Sequence, residues 1–173
     1  VLCDVIKNNI TDNTDLIVDL GSGWGRNSVY LSNLFHKKVD FLACELSDSG
    51  RQCTDLIANK YDLPIETIPF NYYDNSNLLE VLKNRQISDI LFFSNHSIEQ
   101  ISEIDISFFK SIISLPIKTI NFVHLEPVGW QIENMPKNTN PLYNDNLISV
   151  LKKLEEENLI TITRMQPNYF GLK

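Results

Sequence analysis

Residues 16–26 read LIVDLGSGWGR. A short apolar run ends in glycines spaced two apart, Gly21, Gly23 and Gly25, and a stretch with helical periodicity follows. That order predicts a buried parallel strand, a tight turn, and a helix whose N-terminus faces whatever lies over the turn. At Gly21 and Gly23 the missing Cβ lets backbone approach a ligand closely. The chain is therefore read outward from this turn.

Two cofactor-binding patterns use such a turn, and spacing separates them. The dinucleotide fingerprint G-x-G-x-x-G needs a third glycine at position 26, which is Arg26. The pattern D-x-G-x-G-x-G, with Asp19 closing the strand, resembles motif I of the class I S-adenosylmethionine-dependent methyltransferases. The resemblance covers nearly the whole chain. It implies S-adenosylmethionine as cofactor, held at Asp19, Gly21, Ser22, Gly23 and Gly25.

The remaining strands follow in turn. A helix is expected at 1–9, a polar linker at 10–15, and a helix at 27–38 with Val29, Tyr30, Leu34 and Phe35 as its apolar face. Strand two (39–44) ends at Glu45, about twenty residues beyond the turn, where a carboxylate can accept hydrogen bonds from a ribose diol. Ser47 or Asp48 can cap the next helix, expected to bury Cys53, Leu56 and Ile57. Strand three (64–70) carries two prolines, which suits a sheet edge. Methyltransferases of this class often place an acidic residue after that strand, near the adenine amine. The aligned position here is Asn71, with Asp74 as its rival. Tyr72 or Tyr73 can stack on adenine or anchor the loop.

A short helix (77–86) leads to strand four (88–93), which delivers Ser94, a further cofactor-binding candidate, then Asn95, His96, Ser97, Ile98 and Glu99. Helix 98–114 and strand five (118–125) bring the chain to His124 and Glu126. A long loop, 127–146, precedes a last helix capped by Asn144 or Asp145, with Leu147, Val150, Leu151 and Leu154 buried. Strand six is expected at 159–165. The alternation predicts a doubly wound, mostly parallel α/β sheet with helices on both faces. The resemblance also implies a seventh, antiparallel strand, and nothing after Gly171 can supply it. With Val1 in place of a methionine, the sequence reads as part of a longer chain forming a single domain.

In open α/β sheets ligands lie beyond the carboxyl ends of the strands, where strand order reverses. The glycine turn, Ser94–Glu99 and His124–Glu126 should converge there. His96 or His124 can then take a proton from an acceptor hydroxyl, with Glu99 or Glu126 orienting the imidazole. The same four residues have metal-ligand chemistry, but on two loops rather than one helix, and no metal is expected. A third reading makes Asn95 and Ser97 caps of the next helix, with Glu99 complementing its dipole. The place where aminomethylating relatives carry Asn/Asp-Pro-Pro-Tyr/Phe reads Ser94-Asn95-His96-Ser97, which leaves oxygen acceptors on small molecules or sugars. SNHSIEQ and HLEPVGW resemble bacterial methyltransferases of the sugar-modifying kind. Trp130 and Tyr143 are candidate walls of the acceptor pocket.

Composition sets the outer bounds. A net charge of −7 with no basic cluster disfavours nucleic acid, and no apolar run approaches the roughly 20 residues of a membrane span. Three cysteines without a C-x-x-C pair read as free thiols, with Cys44 a buried hydrophobe, and point to the cytoplasm. Two other functions compete with the methyltransferase. One is a NAD-dependent oxidoreductase using Glu45 for the ribose; the other is a non-catalytic cofactor-binding module.

Overall fold

The computed structural model describes residues 2–35, 38–132, 140 and 142–166. Five parallel strands lie in the order β3-β2-β1-β4-β5: β1 Leu16–Leu20, β2 Asp40–Glu45, β3 Ile65–Pro69, β4 Asp89–Asn95 and β5 Thr119–Leu125. The order reverses between β1 and β4, so the end of β1 sits at the switch point. All five residues of β1 are buried, as a central parallel strand requires. β3 forms one edge, in line with its prolines, and β5 forms the other.

Among the described residues six α-helices cover the faces: α1 Leu2–Lys7, α2 Arg26–Leu34, α3 Asp48–Tyr61, α4 Ser76–Lys83, α5 Ile106–Ile113 and α6 Leu147–Glu156. Because strand side chains alternate, the sheet has two cores. Ile17, Phe41, Leu91 and Phe93 meet α1 and α2 on one side. Val18, Leu42, Ile90 and Phe92 meet α4, α5 and α6 on the other. No helix among the described residues is long and apolar enough to cross a membrane.

Four local expectations need correction. α2 buries Ser28, Leu31 and Ser32, while Tyr30 is exposed, because its first turn is rotated to bring Ser28 onto Asp19. α3 buries Gly50, Thr54 and Ala58, leaving Leu56 72% exposed. That small-residue stripe, spaced by four, lets α3 lie close to the glycine turn. The expected helix 98–114 is broken into a 3-10 turn, Ile98–Gln100, and α5. Between them Ile104 exchanges both backbone hydrogen bonds with the Asn146 side chain, and Asp105 caps α5 through the Ser107 N–H. Finally, residues 160–166 form no sixth strand. The Ile162 N–H donates to Glu155 Oε1 on α6 instead of to a ladder partner, and a strand is defined by its ladder.

Candidate active site at the carboxyl edge of the sheet

The glycine turn is fixed from all sides. Gly21, Gly23 and Gly25 all have positive φ (72°, 58° and 80°). A Cβ on Gly21 would lie 1.8 Å from Ser97 Oγ, and one on Gly25 would lie 2.5 Å from Thr54 Oγ1. A Cβ on Gly23 would meet nothing within 4 Å. The first and third glycines are thus packing positions, and the middle one faces open space.

Four backbone donors of the turn are engaged internally. Gly21 and Ser22 donate to Cys44 O at 2.8 and 3.0 Å, and Gly25 donates to Ser22 O at 3.0 Å. Gly23 donates to Glu45 Oε2 at 2.9 Å. The other carboxylate oxygen of Glu45 accepts from the N–H and O–H of Ser47, at 2.8 and 2.6 Å. Ser47 in turn caps α3. A carboxylate offers about four acceptor positions, so Glu45 retains room for a further donor. Cys44 is a buried hydrophobe at the end of β2, as expected.

Asp19 lies beneath the turn rather than at its surface. Its carboxylate accepts from Ser28 Oγ at 2.8 Å, on the face covered by α2, and burial raises its pKa to about 7. Ser22 is also buried, and its hydroxyl has no partner among the described residues.

Beyond β3, Asn71 and Asp74 are exposed loop residues. Asn71 Oδ1 accepts from the Tyr73 N–H, and Asp74 accepts from the Ser76 N–H at the start of α4, which lowers the Asp74 pKa. Tyr72 is an anchor. Its ring packs edge-on against Phe70 at 4.8 Å, and its hydroxyl donates to Leu20 O at 3.1 Å. With its one proton so placed, it accepts from Ser97 Oγ at 2.8 Å. Large hydrophobic side chains exposed near this edge include Trp24, Leu46 and Tyr73. Leu46 and Trp24 escaped the sequence reading, although a bulky apolar residue directly after Glu45, and another inside the glycine turn, were signals available to it.

The four candidate catalytic residues divide into two units. His96, held at φ 56°, places Nδ1 3.1 Å from Glu99 Oε1. Its side chain is 55% exposed against 10% for Glu99, so a surface imidazole rests on a nearly buried carboxylate. His124 is half-buried, with Nδ1 2.9 Å from Ser94 Oγ on the neighbouring strand, and desolvation lowers its pKa to about 4. Glu126 touches neither imidazole by a recorded hydrogen bond. It accepts the Ser97 and Glu99 N–H groups at 3.1 Å each, and so fixes the 3-10 turn that presents Glu99. The reading of Asn95 and Ser97 as helix caps is not met: Glu126 caps the 3-10 turn from β5's end, and Asp105 caps α5. No group of three or more His, Cys, Asp or Glu among the described residues is arranged to hold a metal.

In the long loop, Trp130 packs against the main core, with its ring 6.4 Å from Tyr143. Residues 133–139 and 141 of this loop lie outside the described residues.

No family model matches the chain, and no curated protein matches it by sequence. Solved structures do. A SAM-dependent methyltransferase from Aquifex aeolicus superposes with a TM-score of 0.58 at 17% identity, over 93% of this chain and 80% of that one. Geranyl diphosphate methyltransferase, in complex with GPP and sinefungin, gives 0.57 at 14% identity, over 90% of this chain and 58% of that one. Coclaurine N-methyltransferase bound to N-methylheliamine and SAH gives 0.50 at 14% identity, over 71% and 34% respectively. The chain thus spans less than two thirds of the length of the latter two. At these identities the likeness establishes the fold, which is that of the class I methyltransferases.

Proposed function

We propose that this chain binds S-adenosylmethionine at the glycine turn and transfers its methyl group to a hydroxyl of a small molecule or sugar. The observation that carries the reading is Gly23: the one glycine of the turn with open space above it, its N–H held by the strand-end carboxylate of Glu45. The residues present fit that cofactor. The remaining acceptor capacity of Glu45 suits a ribose hydroxyl, and exposed Leu46 supplies apolar surface beside it. Asp19 acts from below, holding the start of α2 through Ser28.

The same geometry argues against a dinucleotide. A pyrophosphate needs free N–H groups at the turn, and those of Gly21, Ser22, Gly23 and Gly25 already have protein partners.

When bound, the cofactor supplies a methyl group on a sulfonium, an electrophile needing only an aligned lone pair. His96 is the better base of the two histidines. It is accessible, and it has a carboxylate partner. His96 Nε2 would take the proton of the acceptor hydroxyl, and Glu99 would stabilise the resulting imidazolium. In this reading Asn71, with Asp74 as its rival, would face the adenine, with Tyr72 and Ser94 supporting the site from within. Thermal shift with S-adenosylmethionine, S-adenosylhomocysteine and NAD tests the reading. Stabilisation by the first two is expected. Stabilisation by NAD alone would overturn it.

A further inference from the structure

The Glu45 carboxylate offers about two acceptor positions on each oxygen, and its neighbours fill most of them. Oε1 takes the Ser47 N–H at 2.8 Å and the Ser47 hydroxyl at 2.6 Å, which saturates that oxygen. The same hydroxyl oxygen accepts the Gly50 N–H at 3.2 Å as the cap of α3, so its own proton is directed to Glu45. Oε2 takes the Gly23 N–H at 2.9 Å. One acceptor position is left, and it is on Oε2.

The surroundings hold the carboxylate in that posture. Arg51, in the first turn of α3, reaches back to the end of β2. Its Nη1 donates to Glu45 O and Leu46 O at 2.8 Å each, and its Nη2 donates to Asp48. The Arg51 side chain is only 15% exposed, so this brace is part of the packed structure. Gly50 closes the other side. A Cβ there would lie 2.6 Å from Gly23 O and 2.8 Å from Glu45 Cγ, so the backbone of α3 sits directly against the glycine turn and the Glu45 stem. Turning Oε1 toward a ligand would break two charge-assisted hydrogen bonds and gain one.

A ribose presents two neighbouring hydroxyls, and an unencumbered carboxylate can accept both, one on each oxygen. Glu45 has room for one. We infer that the first turn of α3, through the Ser47 hydroxyl, makes this site read a single ribose hydroxyl and disregard the other, so that a nucleoside lacking the second hydroxyl binds as well as the intact one. Ser47 is thus a specificity residue acting through Glu45. The inference rests on cofactor binding at Glu45, and neither the acceptor nor methyl transfer enters it.

Titration calorimetry of S-adenosylhomocysteine and its 2′-deoxy and 3′-deoxy analogues into the full chain is the test. One analogue should bind about 10–100-fold more weakly than S-adenosylhomocysteine, the effect of one hydrogen bond to a charged acceptor, and the other should bind within about twofold of it. In Glu45→Ala the three ligands should bind alike, which assigns the hydroxyl that is read to this carboxylate. Ser47→Gly keeps a residue suited to the cap position and frees a position on Oε1, so both analogues should then lose affinity. Similar losses for the two analogues in the parent chain, or no loss for either, would overturn the inference while cofactor binding stands. So would a Glu45→Ala or Ser47→Gly protein that keeps the parent's selectivity. Failure of the parent to bind S-adenosylhomocysteine would remove the cofactor reading itself, and this inference with it.

Discussion

The two halves of the carboxyl edge are built on different principles. Around β1, β2 and α3, the site is made of backbone. Glycines supply positive φ, and neighbouring side chains occupy two of the three places where a Cβ would stand. Around β4 and β5 it is made of side chains. A serine, two histidines and two glutamates divide into a surface pair and a more buried network. The first half has one geometry and tolerates little. The second depends on which polar group holds which proton, and so on pH and on occupancy.

The largest expected effect falls in the second half. His96→Asn keeps a residue that tolerates positive φ, so the fold should survive. Turnover should fall by about 10²–10⁴-fold, the usual worth of a positioned base, with S-adenosylhomocysteine affinity unchanged. Steady-state kinetics beside calorimetry checks this. Unchanged turnover would move the base elsewhere.

In the first half, the three glycines should not respond alike. Gly21→Ala meets Ser97 at once and should cost about 3 kcal/mol or more in urea unfolding. Gly23→Ala has room and should cost only the backbone term, about 1 kcal/mol. Equal costs would mean that the distinction drawn between packing and ligand-facing glycines is wrong.

A smaller effect separates the halves by pH. Burial raises Asp19 from 3.8 to about 7 and lowers His124 from 6.5 to about 4. The native state holds the Asp19 proton more tightly than the unfolded chain does. That contribution to stability is full below about pH 4 and is lost as pH rises toward 7. His124 holds its proton less tightly, so its contribution is full above about pH 6.5 and is lost as pH falls toward 4. The two slopes oppose. Asp19→Asn should leave stability climbing from pH 4 to 6.5, and His124→Phe should leave it falling over the same range. Urea unfolding across that range is the check, with the parent flatter than either variant.

The first half was also the more legible in sequence. Gly21, Gly23, Gly25 and Glu45 are marked by local spacing, and the prolines of β3 mark an edge, because each reports on its own backbone. What could not be read depends on partners far along the chain. The break after Gln100 exists because Asn146 satisfies Ile104. The buried face of α3 follows from its contact with the glycine turn, so Thr54 is inside and Leu56 outside. Residues 160–166 have strand-like alternation, yet Ile162 is tied to Glu155. His96 and His124 are equivalent as letters, and only burial and neighbours tell them apart.

The central claim is that a cofactor sits over Gly23 and against Glu45. Titration calorimetry of S-adenosylhomocysteine into the parent chain, Glu45→Ala and Gly23→Val tests it directly. The account predicts binding to the parent, a loss of about 1–3 kcal/mol for Glu45→Ala from the missing charged hydrogen bond, and no measurable heat for Gly23→Val. Equal affinity in all three proteins, each shown to be folded, would contradict it.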